Sequence, residues 1–246
     1  MEEYRQPGQG SQKGLILAIV FSALVVSGSL FFLGLQMGGS KMAANVVANN
    51  APAAAVPSPV APANPTITAS LDELVDDDPF MGDDDAPVTI IEWTDYQCPF
   101  CGRHSTQTLP SIKKEYIDTG KVKYVLRDLA LSFHPNALPG AKAANCAGEQ
   151  DKYWEMHDLI FANQTALSPE SLEKWADELG LNRSKYDACV DSDKYDKEAA
   201  ADQAAGASWG ITGTPGFVIS NGETSKKISG AQPFTNFKQE IEALLN

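Results

Sequence analysis

The stretch Glu92-Trp93-Thr94-Asp95-Tyr96-Gln97-Cys98-Pro99-Phe100-Cys101 decides the fold. It reads as a strand that leaves a core and delivers two cysteines to the first turn of a helix. With Cys98 as N-cap, Pro99 takes the first helical position, where its missing N–H is no loss and its fixed φ suits the helix. Residues three apart on a helix share a face, with about 5 to 6 Å between Cβ atoms, so Cys98 and Cys101 can open and close a bridge without unfolding anything. The free N–H groups and the positive end of the helix dipole favour a thiolate at Cys98, the nucleophile of disulfide exchange, with Cys101 as resolving thiol. The same spacing also serves half a zinc site, for which His104 is the nearest third ligand, but no second cysteine pair lies close by.

Working outward, Val88 to Trp93 is apolar on both faces, as a buried central strand should be, with Glu92 as the exception. If buried, its carboxylate is raised in pKa and can exchange a proton with Cys101 as the bridge opens; the alternative is a carboxylate that reaches solvent at the strand end. A helix is predicted from Pro99 to Ile117, bent at Pro110 and ended by Gly120. Val122 to Leu126 alternates as a strand, parallel to the first because a helix joins them. No further strand pattern appears before Phe217. Between them lies a helical insert with Tyr153, Trp154, Leu159, Ile160 and Phe161 as core, and one helix marked by Ser168 as cap, Pro169 at its start and Gly180 at its end. His134 and His157 have no motif around them and read as structural or surface residues. The chain returns to the sheet with Phe217 to Ser220, a hairpin signal at Asn221-Gly222, and Lys226 to Ser229 pairing back. Phe237, Ile241, Leu244 and Leu245 then mark a last helix at i, i+4, i+7 and i+8.

The order βαβ, insert, ββα is that of thioredoxin, and these residues resemble the DsbA-like branch of the thioredoxin superfamily, the thiol-disulfide oxidoreductases of oxidising compartments. The resemblance covers residues 67–246, with a helical insertion at about 132–208. It places an acidic residue at Glu92, six before Cys98, and a threonine and a cis-proline at Thr214 and Pro215, beside the cysteines. It implies that Thr214 pairs through its backbone with an extended substrate and that Pro99 and Phe100 help set the thiolate. Pro99-Phe100 departs from the proline-histidine of the best-known oxidases of the group. Cys146 and Cys189 both fall in the insert. An oxidising location makes a bridge between them the default and the resemblance allows one; buried free thiols and a second redox relay are the alternatives. A 43-residue separation would give such a bridge about 4 kcal/mol by the chain-entropy estimate.

Residues 1–13 are short and polar, and 14–36 form an expected transmembrane anchor, uncharged from Gly14 to Leu35; the alternative is a signal peptide cleaved near the small residues Ala43, Ala44 and Ala48. Arg5 and Lys13 against Lys41 put the N-terminus in the cytoplasm and the catalytic domain outside. Residues 37–66 read as an Ala/Pro-rich linker, and Asp76 to Asp78 with Asp83 to Asp85 as a solvated acidic lead-in. With 19 basic and 32 acidic residues the net charge is −13, which argues against nucleic acid as a partner. The expected function is oxidation of reduced exported proteins through Cys98 and Cys101, without metal or cofactor, and the resemblance implies a quinone-linked membrane reoxidase. Alternatives are a disulfide reductase or isomerase, and a copper or zinc carrier built on Cys98, Cys101 and His104.

Overall fold

The computed structural model describes residue 75 and residues 78–246. The anchor and linker expected at 1–66, and Asp76 and Asp77, lie outside the described residues. Among those described, no helix is long and apolar enough to cross a membrane.

Five strands form one mixed sheet in the order β1-β3-β2-β4-β5. Strand β2 (Val88–Thr94) is buried along its whole length and runs parallel to β3 (Val122–Asp128), with Glu92 beside Leu126. On its other side β2 pairs antiparallel with β4 (Gly216–Ser220), which pairs in turn with β5 (Ser225–Ser229). The period of two along β2 splits the core: Ile90 joins Leu126, Phe217 and Phe237 on one face, and Ile91 and Trp93 join Val125, Val218 and Trp209 on the other. Strand β1 (Phe80–Met81) pairs antiparallel with β3 and was not expected, since two residues carry no alternation to read.

The helix that follows the cysteines runs through α1 (Pro99–Arg103), a π turn (His104–Thr108), α2 (Leu109–Ile112) and a second π turn (Lys113–Ile117). Pro110 explains the first. It cannot donate to the carbonyl four residues back and its ring crowds that carbonyl, so the turn widens and Leu109 N–H bonds to His104 O instead. The widened turn still buries Leu109 and Ile112.

The insert comprises α3 (Ala137–Gly148), α4 (Tyr153–Ala162), α5 (Pro169–Glu178), α6 (Arg183–Val190) and α7 (Lys194–Ser208). Ser168 caps α5 in a capping box with Ser171, and Gly180, at φ 70°, takes the left-handed turn after it. Gly206 lets α7 lie against the sheet: a Cβ there would stand 2.8 Å from Trp93 Nε1, which donates to Asp202 O. Cys146 on α3 and Cys189 on α6 are joined by a disulfide, with Cα atoms 5.8 Å apart. The sheet closes with β5, and α8 (Phe234–Leu245) buries Phe237, Ile241 and Leu244.

Asp78 is not part of a solvated run: it is buried and meets Arg127 Nε at 2.7 Å, while Asp202 Oδ1 accepts from the same Nε at 2.8 Å. A buried guanidinium draws carboxylates in from distant segments because it cannot shed its charge. The hairpin signalled by Asn221-Gly222 is present, and its turn holds the four residues 221–224. Ser220 pairs with Ser225, and Asn221 Oδ1 accepts from the N–H groups of Glu223 and Thr224, so the asparagine folds the loop through its side chain.

Candidate active site

Asp95, buried at the end of β2, builds the turn that carries Cys98. Its Oδ1 accepts from the N–H groups of Gln97 and Cys98 at 2.8 and 3.0 Å, and its Oδ2 from Leu131 N and His134 Nδ1, each at 2.9 Å. One carboxylate thus fixes both the start of α1 and the loop after β3. Gln164, from the insert, donates through Nε2 to the carbonyls of Tyr96 and Cys98 at 2.9 and 2.8 Å. Cys98 is the N-cap of α1 and Pro99 follows at its first position.

Both thiols are free and buried, Cys98 at 4 % exposure and Cys101 at 1 %. Their acidities diverge. Cys98 is pulled down to about 5, first by the hydrogen bond from Cys101, against burial, with Thr214 and the backbone N–H groups of Cys101 and Phe100 adding to it. Cys101 is pushed well up, first by burial, then by its bond to Cys98 and the charge of Glu92. The pair therefore offers an attacking thiolate and a protonated reserve at neutral pH. Asp95 N–H reaches Cys101 Sγ at 3.4 Å.

The Thr214–Pro215 peptide is cis, and Thr214 O lies 3.6 Å from Cys98 Sγ. Pro99 and Phe100 stand exposed on the first turn; Phe100 is 53 % exposed, with the Arg103 guanidinium 5.1 Å from its ring. Phe133, 71 % exposed, stands on the loop that Asp95 holds.

Glu92 is buried beneath the pair, and burial lifts its carboxyl to about 7 against the opposing hydrogen bond from Tyr124. His104 does not converge with Cys98 and Cys101 as a ligand set. It is fully buried, its Nε2 lies 3.0 Å from Tyr124 Oη, and its ring packs on Phe217 and Phe237. Among the described residues the one convergent set of potential ligands is Asp78, Glu198 and Asp202, which excludes Cys98, Cys101 and His104. The structure thus brings Cys98, Cys101, Glu92, Thr214, Pro215, Pro99 and Phe100 together, and places Cys146 and Cys189 apart in the insert.

A protein-family model described as Thioredoxin matches residues 75–243. The chain belongs to the thioredoxin family. Within it the chain is DsbA-like. It is 28% identical over 180 residues to disulfide bond formation protein D of Bacillus subtilis, covering 67% of this chain and 75% of that one. The crystal structure of alpha-DsbA1 from Wolbachia pipientis shares the fold, with a TM-score of 0.63 at 24% identity over 69% of this chain and 92% of that one. A stretch of 145 residues is also 36% identical to Na(+)/H(+) antiporter NhaA 3 of Salinispora tropica; it covers 58% of this chain and only 22% of that protein. The chain thus spans about a fifth of the length of the antiporter relatives it matches.

Several working parts of this DsbA-like site escaped the sequence reading. Asp95 had a usable signal, an acidic side chain two residues before Gln97, the spacing of an Asx turn, just ahead of the N-cap cysteine. Tyr124, Gln164 and Phe133 had none, because only the fold brings them here.

Proposed function

We propose that the chain is an extracytoplasmic thiol-disulfide oxidoreductase that introduces disulfides into exported proteins, anchored by residues 14–36 with its N-terminus in the cytoplasm. The observation that carries this reading is the split in acidity between Cys98 and Cys101. A stabilised Cys98 thiolate favours the reduced state of the pair, and a protein whose reduced state is favoured gives its disulfide away.

In the forward reaction a substrate thiolate attacks Cys98 Sγ of the bridge. A new sulfur–sulfur bond forms there, the Cys98–Cys101 bond breaks, and its electron pair leaves on Cys101. Glu92, as carboxylic acid, gives its proton to that thiolate. A second substrate thiolate then attacks the substrate sulfur of the mixed disulfide, and Cys98 leaves as the thiolate its surroundings favour. In this reading Thr214 O, 3.6 Å from Cys98 Sγ, would accept a backbone N–H from an extended substrate, and the exposed Phe100 and Phe133 would offer apolar surface to its flanking side chains. Two electrons remain on the enzyme, and a quinone-linked membrane partner would remove them.

The reduction potential of the pair tests this, by equilibrating the purified chain with glutathione buffers and counting free thiols. The expected value is about −120 to −180 mV. A value near about −270 mV or below would make the protein a reductant and overturn the proposal.

A further inference from the structure

Among the described residues no lysine or arginine pairs with Glu92. The groups that act on it are Tyr124 from β3, Thr94 from its own strand and Cys98 from the N-terminus of α1. Cys101 on α1 and Tyr96 in the loop after β2 feel its charge in turn. From β4 its antiparallel neighbour is Phe217, which does not titrate. None of these is a lysine or an arginine, so the burial of the carboxylate is answered by hydrogen bonds alone.

Those hydrogen bonds form a chain. Tyr124 Oη donates to Glu92 Oε2, and with its proton so committed its oxygen accepts from His104 Nε2, 3.0 Å away. His104 Nε2 itself stands 3.9 Å from Glu92 Oε2. The direction assigns the tautomer: hydrogen on Nε2 and a lone pair on Nδ1, and Nδ1 is indeed buried without a hydrogen-bond partner. Phe217 and Phe237 hold the ring from the sheet and from α8, and burial, with His157 of α4 adding, keeps it neutral with a pKa near 3. A neutral imidazole can donate to the tyrosine without supplying a countercharge. The donors run toward the carboxylate in series, so the Tyr124 bond favours its ionised form and the His104 bond strengthens that bond by polarising the tyrosine.

We propose that Tyr124 and His104 are positioning residues that set the proton affinity of Glu92 and thereby govern proton delivery to Cys101 as the bridge opens. This rests on the reading that Cys98 and Cys101 exchange disulfides with Glu92 as proton partner. When the bridge opens, the proton leaves the Glu92 carboxyl for the Cys101 thiolate; the carboxylate left behind is the species that the His104–Tyr124 chain stabilises.

The test titrates Glu92 in the full-length chain by the infrared stretch of its protonated carboxyl, assigned by its loss in Glu92→Gln. Beside it, the rate at which reduced dithiothreitol opens the bridge is followed between pH 5 and 9 and corrected to the thiolate present. Tyr124→Phe removes the link of the His104–Tyr124 pair that touches the carboxylate and should raise the carboxyl midpoint by about one pH unit, the size of one charge-assisted hydrogen bond. The pH dependence of opening should move with it. His104→Leu should shift both the same way by less, and His104→Gln, whose amide can donate to the phenol, should restore the wild-type midpoint. In a Glu92→Gln background Tyr124→Phe should leave the pH profile unmoved. Unshifted midpoints in Tyr124→Phe and His104→Leu would overturn the proposal; if Tyr124→Phe does not fold, His104→Leu against His104→Gln decides alone. A wild-type chain that dithiothreitol opens no faster than a simple disulfide would defeat the exchange reading instead, and the infrared titration would still decide the role of Tyr124 and His104.

Discussion

Cys98 and Cys101 stand three residues apart at the start of one helix; Cys146 and Cys189 stand 43 apart on two. Both pairs are buried, so burial does not separate them. Their surroundings do. The first pair has a helix N-terminus, a carbonyl from the cis-proline loop and a carboxyl with an adjustable proton, all of which act on the sulfurs. The second lies among the alanines of α3 and closes a long loop across the insert. A cysteine pair becomes reactive through the groups that hold its charge and its proton, and becomes structural through the length of chain it closes.

The contrast breaks most sharply at Cys98. Cys98→Ser should abolish exchange with any dithiol while leaving the fold and the Cys146–Cys189 bridge intact, as thiol counting after denaturation would show. The converse is the double substitution Cys146→Ala with Cys189→Ala. It should cost about 4 kcal/mol of stability in chemical denaturation and leave the exchange rate per folded molecule unchanged.

Glu92→Gln sharpens the comparison from the proton side. A carboxyl whose folded pKa is raised from 4.5 to about 7 costs nothing below the lower value and its full penalty above the higher. Removing it should therefore stabilise the reduced protein by up to about 3 kcal/mol at pH 8, an effect that fades to nothing near pH 4, while slowing bridge opening. Denaturation midpoints at the two pH values check the sign. The smallest effect is expected at Gln164, which bonds the active-site carbonyls from within the insert. Gln164→Ala should cost about 1 kcal/mol and change exchange more than removal of the insert's own disulfide does.

Much of this was legible in the sequence, because local rules governed it. Pro99 after Cys98 announced the helix start, Ser168-Pro169 announced α5, and the apolar run from Val88 announced the central strand. Glu92 stood out as the one acid in that run. The misses share a different cause. Asp78 and Arg127 meet across 49 positions, Arg127 and Asp202 across 75, and no local period records such a contact. His104, three residues beyond Cys101, looked like a third metal ligand. Its place was set by the packing of Phe217 and Phe237, both more than a hundred residues away, and those contacts turned it toward Tyr124.

The π turn at His104–Thr108 carries a consequence for how relatives of this chain are aligned. A π turn holds one residue more than the α turn it replaces. A homologue short by one residue between Cys101 and Pro110 would keep both cysteines, the strand before them and the helix after them. Its alignment would show a single harmless gap. The narrower α turn would absorb the missing residue and keep both flanking faces in register, so the loss would fall on a position within the turn that His104 opens. Counting residues between Cys101 and Pro110 thus sorts relatives that keep the wide turn opened by His104 from those that have an α turn in its place.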